Sequence, residues 1–143
     1  MKKVARLLVS AMLLVVMAVS LCSCGIPSDP EKAKSNLTSK EYVVDTTVSA
    51  AAVKTYFTVK YGVSFYSNID SVVYAISSDG KDNVLIIYCK DDDSAKKVNG
   101  DIKEIYNSIR ESAKDNDTEA DVKSGKSGKA VYIGTSAGVK AAG

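Results

Sequence analysis

The sequence predicts an α+β fold: an antiparallel sheet of about four strands with helices packed on one face, plus short terminal helices. Three observations predict it. Ile69–Ser77 and Asn83–Lys90 are apolar, β-branched segments separated by Ser78-Asp79-Gly80-Lys81-Asp82, and Asp-Gly favours the positive φ of a tight hairpin turn. Ala95, Val98, Ile102, Ile105 and Ile109 recur at spacings of three and four, the signature of a helix with one buried face. Glu41–Val48 alternates Tyr42, Val44, Thr46 and Val48 against Val43, Asp45 and Thr47, a period of two that belongs to a strand.

In chain order, Pro30–Lys40 reads as a short helix. Asp29 is its cap, Pro30 suits the first turn, and Glu31 sits near the positive end of the dipole. Ala33 and Leu37 form its apolar stripe. The strand Glu41–Val48 follows. From Ser49 onward, Ala50, Val53, Phe57 and Tyr61 take helical spacing, with Ser49 as cap and Gly62 as stop. The strand formers of Thr55–Val59 leave a strand as the alternative there, which would give a five-stranded sheet under one helix. Val63–Asn68 connects to the hairpin and carries Phe65 and Tyr66. Val84-Leu85-Ile86-Ile87-Tyr88 is apolar on both faces, as an inner strand requires.

Asp91-Asp92-Asp93-Ser94 opens the long helix with acids that complement its N-terminal dipole. Lys96, Lys97, Asp101, Lys103, Glu104, Asn107 and Glu111 fill its outer side, and Gly100 weakens its middle by roughly 1 kcal/mol relative to Ala. Lys114–Lys129, rich in Asp, Lys, Ser and Gly, reads as a polar loop. Ala130-Val131-Tyr132-Ile133 is a last strand, and Gly134-Thr135-Ser136 turns into a terminal helix carrying Ala137, Val139, Ala141 and Ala142. After the first helix the order is strand, helix, strand, strand, helix, strand. That order resembles the split βαβ arrangement of ferredoxin-like folds. It implies inner first and third strands, with both crossover helices on one face.

Residues 1–30 have another character. Lys2, Lys3 and Arg6 precede a run from Leu7 to Leu21 broken only by Ser10 and Ser20. Charge followed by roughly fifteen apolar residues is the layout of a signal peptide, and it is short of the roughly 20 needed to span a bilayer. The run stops at Leu21-Cys22-Ser23-Cys24, which resembles the lipobox of bacterial lipoproteins. The resemblance implies cleavage after residue 23 and a diacylglyceryl thioether on Cys24. Cys22 would put Leu21 directly before the cut, where a small residue is wanted. The expected layout is a signal peptide over 1–23, the lipidated cysteine and an extended, mobile tether over 24–30, and a single domain over 31–143. The expected location is the extracytoplasmic face of the cell membrane.

Composition narrows the chemistry. The chain holds 19 basic and 17 acidic residues. Without Lys2, Lys3 and Arg6 the balance is 16 against 17, a side-chain net of −1, which is no footprint for nucleic acid. There is no histidine, so no Ser-His-Asp or Cys-His machinery and no imidazole zinc site can be built. Cys89, in an apolar strand, reads as a small buried hydrophobe. Asp91–Asp93 and Asp115–Asp121 depart from an EF-type loop, where Lys96 and Ala120 stand in place of the central Gly. Gly125-Lys126-Ser127 lacks the first Gly, the leading strand and the following helix of a phosphate loop. The sequence thus points to no metal and no cofactor.

Three functional readings remain. The preferred one is a non-enzymatic binding or protein-interaction module. An uncovered sheet face carrying Tyr42, Tyr74 and Tyr88 would meet a peptide, an envelope protein or a glycan. The second is an enzyme using carboxylate, lysine or tyrosine chemistry, with Asp45 as the residue to inspect. The third is an accessory subunit that pairs through a sheet edge.

Overall fold

The computed structural model describes residues 25–61, 69–115 and 121–143. The leader and Cys24, Gly62, the Val63–Asn68 connection and the centre of the Asp115–Asp121 segment lie outside them. So do the side chains of Phe57, Tyr61, Ile105 and Ile109.

The elements in order are α1 (Pro30–Ser39), β1 (Tyr42–Val44), α2 (Ala50–Tyr61), β2 (Ile69–Ser77), β3 (Asn83–Cys89), α3 (Asp92–Asp115), β4 (Val122–Ser127), β5 (Ala130–Thr135) and α4 (Ser136–Ala142). The strands form one antiparallel sheet in the order β1-β2-β3-β5-β4. The α+β class is as the sequence predicts. So are both interior helices, the hairpin with Gly80 at φ 73°, and the inner position of β3, whose residues from Val84 to Cys89 are all buried.

The strand order is not ferredoxin-like. There β1 would lie beside β3; here it pairs only with β2, through Val43 opposite Ile76, at the sheet edge. β5 takes the place beside β3. The burial of each strand accounts for this. β5 buries Ala130 on one face and Val131 and Ile133 on the other, so it needs cover on both sides. β1 leaves Val43 66% exposed, which only an edge tolerates. β1 is also shorter than the period of two suggests. The Asp45 carboxylate accepts from the Thr47 N–H (2.9 Å) and hydroxyl (2.6 Å), and this local turn ends the strand.

The fifth strand is β4, where the sequence reads as a loop. Gly, Lys and Ser are poor strand formers, but β4 pairs with β5 along its whole length across the turn at Gly128 (φ 59°). The Tyr132 ring lies over Gly125, its cross-strand partner, so closely that a Cβ there would stand 2.6 Å from the tyrosine oxygen. The aromatic ring supplies the side-chain cover that glycine lacks.

Helices cover both faces of the sheet. On one, Val53 of α2 and Ala95, Val98 and Ile102 of α3 pack on Ile69, Leu85, Ile87, Cys89, Val131 and Ile133. On the other, Ala33 and Leu37 of α1 and Val139, Ala141 and Ala142 of α4 pack on Val73, Ala75, Val84, Ile86, Tyr88 and Ala130. The terminal helices therefore close the face that the sequence leaves open. Their caps fit: the Asp29 carboxylate accepts from the Glu31 N–H (3.0 Å), and Thr135 Oγ1 accepts from the Gly138 N–H (3.1 Å). Asn36 of α1 donates to the Ala142 carbonyl at 3.0 Å, tying the two helices together. Among the described residues, no helix is long and apolar enough to cross a membrane.

The segment before α1 is not a free tether. Ile26 is buried in the second core. Its carbonyl accepts from Ser127 Oγ (3.4 Å), and the Pro27 carbonyl accepts from the Tyr88 hydroxyl (2.8 Å).

Candidate functional site

The alternation of strand side chains sends the three predicted tyrosines to different places. Tyr88 points into the α1–α4 core, and burial pushes its hydroxyl up to about 12, with the Asp29 charge adding to the effect. Tyr42 borders the same core. Its pKa is raised first by burial and then by Asp82 and Asp79 of the β2–β3 turn. Tyr74 belongs to the opposite face, against the α2–α3 core. No single platform carries all three, and the face expected to be open is filled.

Tyr74 instead joins residues from two other elements. Asp45 donates its N–H to the Tyr74 carbonyl at 2.9 Å as the last rung after β1. That pairing puts the two side chains on the same face. Tyr74's hydroxyl pKa is raised by burial, then by the Asp45 charge, then by Tyr56 of α2, so the three groups are neighbours. Lys60, one turn on from Tyr56, donates to the Tyr56 hydroxyl at 2.9 Å and lies 5.3 Å from its ring centre.

Apolar surface adjoins this cluster. Among the described residues, the exposed large hydrophobic side chains are Val43 (66%), Tyr56 (52%) and Val59 (82%). All three lie on β1 and α2. Val43 precedes Asp45 by two residues and so shares its face, with half-buried Ile76 opposite. Val59 follows Tyr56 by three on the outer side of α2.

The two Thr47 donors hold the Asp45 carboxyl below the usual carboxylate range, so it is a weak base at neutral pH. Tyr74, raised, keeps its proton and acts as a hydrogen-bond donor or acceptor. A general acid–base pair needs groups poised near the working pH, and these two are moved away from it.

The sequence singled out Asp45 and Tyr74 but not Val43, Tyr56, Val59 or Lys60. One signal was readable: Tyr56 and Val59 are large apolar residues that fall off the Ala50–Val53–Phe57–Tyr61 stripe. Their place relative to β1 depends on how α2 lies across the sheet. Elsewhere, Cys89 is buried, and burial, then the Asp91 charge, raise its thiol pKa, so it is an unreactive core thiol. The acidic run at Asp91 is a helix cap: the Asp91 carboxylate accepts from the Ser94 N–H at 2.7 Å. Among the described residues, no three acids or thiols gather to hold a metal ion.

No protein-family model, no curated protein and no solved structure matches this chain.

Proposed function

We propose that the chain is a bacterial lipoprotein, anchored through lipid on Cys24 to the extracytoplasmic face of the membrane, that acts as a binding module without catalytic activity. Its contact surface is the α2–β1 corner: Tyr56, Val59, Val43 and Tyr74, flanked by Asp45 and Lys60. The observation that carries this is that the large exposed apolar side chains among the described residues, Val43, Tyr56 and Val59, all lie on the two successive elements β1 and α2, with the Asp45 carboxylate just after β1 and the Lys60 ammonium on α2. Surfaces that mix aromatic rings with aliphatic groups and a few charges suit protein partners. The aliphatic share, Val43 and Val59, favours a peptide or an envelope protein over a glycan.

The sheet-edge reading is weaker. β1 offers only three residues, and β4 carries Lys123 and Lys126 along its edge. Short strands and lysines are the devices that prevent edge pairing. The enzyme reading fares no better, because Asp45 is tied to Thr47 and lowered in pKa.

The test uses intact cells. A photo-crosslinking residue at Val59 is expected to give one discrete adduct that weakens with Tyr56→Ala. The same group at exposed Lys32, on α1, is expected to give none. Equal labelling from both positions would sink the assignment of this corner. Mass analysis of the N-terminal peptide from the membrane fraction reads the anchor separately, and an unmodified Cys24 in a chain retaining Met1 would remove it.

A further inference from the structure

We infer that the domain is seated directly on the bilayer with its α2–β1 corner directed outward, rather than swinging on a tether. The inference rests on the lipid-anchor reading above. If residues 24–30 were free, seven residues would let the domain range about 24 Å from its lipid. The chain is held much earlier. Ile26 is buried 5% exposed in the core, Ser127 and Tyr88 bind the carbonyls of Ile26 and Pro27, and a Cβ on Gly25 would stand 3.0 Å from Ser127 Oγ. Only the links from Cys24 to Ile26 remain, about 7 Å of chain.

The attachment point fixes which surface meets the lipid. Ser127 pairs with Ala130, and Ala130 with Tyr88, so Gly25 emerges where β3 ends and the β4–β5 turn begins. Exposed residues of that end include Lys90, Gly128 and Lys129 and the acids Asp29, Asp70, Asp91, Asp92 and Asp93. Asp92 lies 3.3 Å from Lys126, and with Asp29, Asp70, Asp91 and Asp93 the acids outnumber Lys90, Lys126 and Lys129, so this surface has no excess of positive charge to attract anionic lipid. The acyl chains, not lysines, supply the hold. Val43 aligns through Ile76 with Asn83, at the other end of β3. Six residues of strand separate the two ends by about 20 Å, and four strand spacings separate β1 from β4 by about 19 Å. The anchor and Val43 of the contact surface therefore lie at diagonally opposite corners of the sheet.

The test reconstitutes the full lipidated chain, carrying Cys89→Ala, into phosphatidylcholine vesicles whose headgroups bear a nitroxide quencher. A fluorophore is placed on Lys129→Cys or on Lys81→Cys, the latter in the distal β2–β3 turn. The expected result is several-fold stronger quenching at position 129, not strengthened when anionic phosphatidylglycerol is added. Ile26→Asp, which frees the segment, is expected to keep flotation with vesicles and lose most of the contrast. Flotation with equal quenching at both positions would overturn the seating and leave the anchor standing. A chain that does not float, with no lipid mass on Cys24, would overturn both.

Discussion

At the scale of single residues, the side chains that look most functional in the sequence serve the fold, and a humbler position serves the surface. Tyr88 is the clearest case. It is buried, and its hydroxyl donates to the Pro27 carbonyl, an acceptor that no spacing rule connects to residue 88. Because the folded state holds this phenol up to about 12, against 10 in the open chain, it favours the neutral form. Its stabilising effect is complete below pH 10 and is lost as pH rises toward 12. Urea unfolding followed across that interval is expected to show a fall in stability, which Tyr88→Phe makes smaller; Tyr42, Tyr74 and Cys89, raised in the same direction, also contribute. At neutral pH the same substitution is expected to cost roughly 1 kcal/mol, the net worth of one hydrogen bond. An unchanged alkaline profile would show that Tyr88 is not buried in solution.

At the scale of elements, legibility followed the strength of local signals. The β2–β3 hairpin could be read because Asp79-Gly80 and a period of two agree. The helix α3 could be read from Ala95, Val98 and Ile102, which are all buried. The strand β4 could not, since Lys123-Ser124-Gly125-Lys126 has neither the pattern nor the propensity; pairing with β5 and the cover of Tyr132 hold it extended. Gly100 gives an element-scale test. A Cβ there meets nothing within 4 Å, so Gly100→Ala is expected to stabilise the protein by about 0.8–1 kcal/mol through helix propensity alone. A shift of the thermal midpoint in the opposite direction would contradict the described helix.

At the scale of the whole molecule, the terminal helices decide the architecture by closing the second face. Their approach is tight. Gly138 of α4 lies against the Asn83 backbone, where a Cβ would stand 2.6 Å from the carbonyl carbon and closer still to its oxygen. Gly138→Ala must push α4 off the start of β3, and overpacking of that kind costs about 1–3 kcal/mol. Thermal unfolding should therefore move down for Gly138→Ala and up for Gly100→Ala, although the two changes are chemically identical. Equal shifts would mean that α4 does not pack on β3.

What the sequence determined by itself was local: the hairpin, the two interior helices, the inner character of β3, the α+β class, and the expectation of a lipidated leader. Each rests on periodicity, turn chemistry or a motif read within a few dozen residues. Only the tertiary structure decided that β1 is an edge strand, that Tyr42, Tyr74 and Tyr88 part company, that Gly25–Asp29 is bolted down, and that the charges of Tyr56 and Asp45 are felt at Tyr74. Those outcomes depend on which strands compete for the place beside β3, and on residues as distant in the chain as Ile26 and Ser127. The burial that both faces of β5 demand settles that competition, and no pattern within a single segment encodes it.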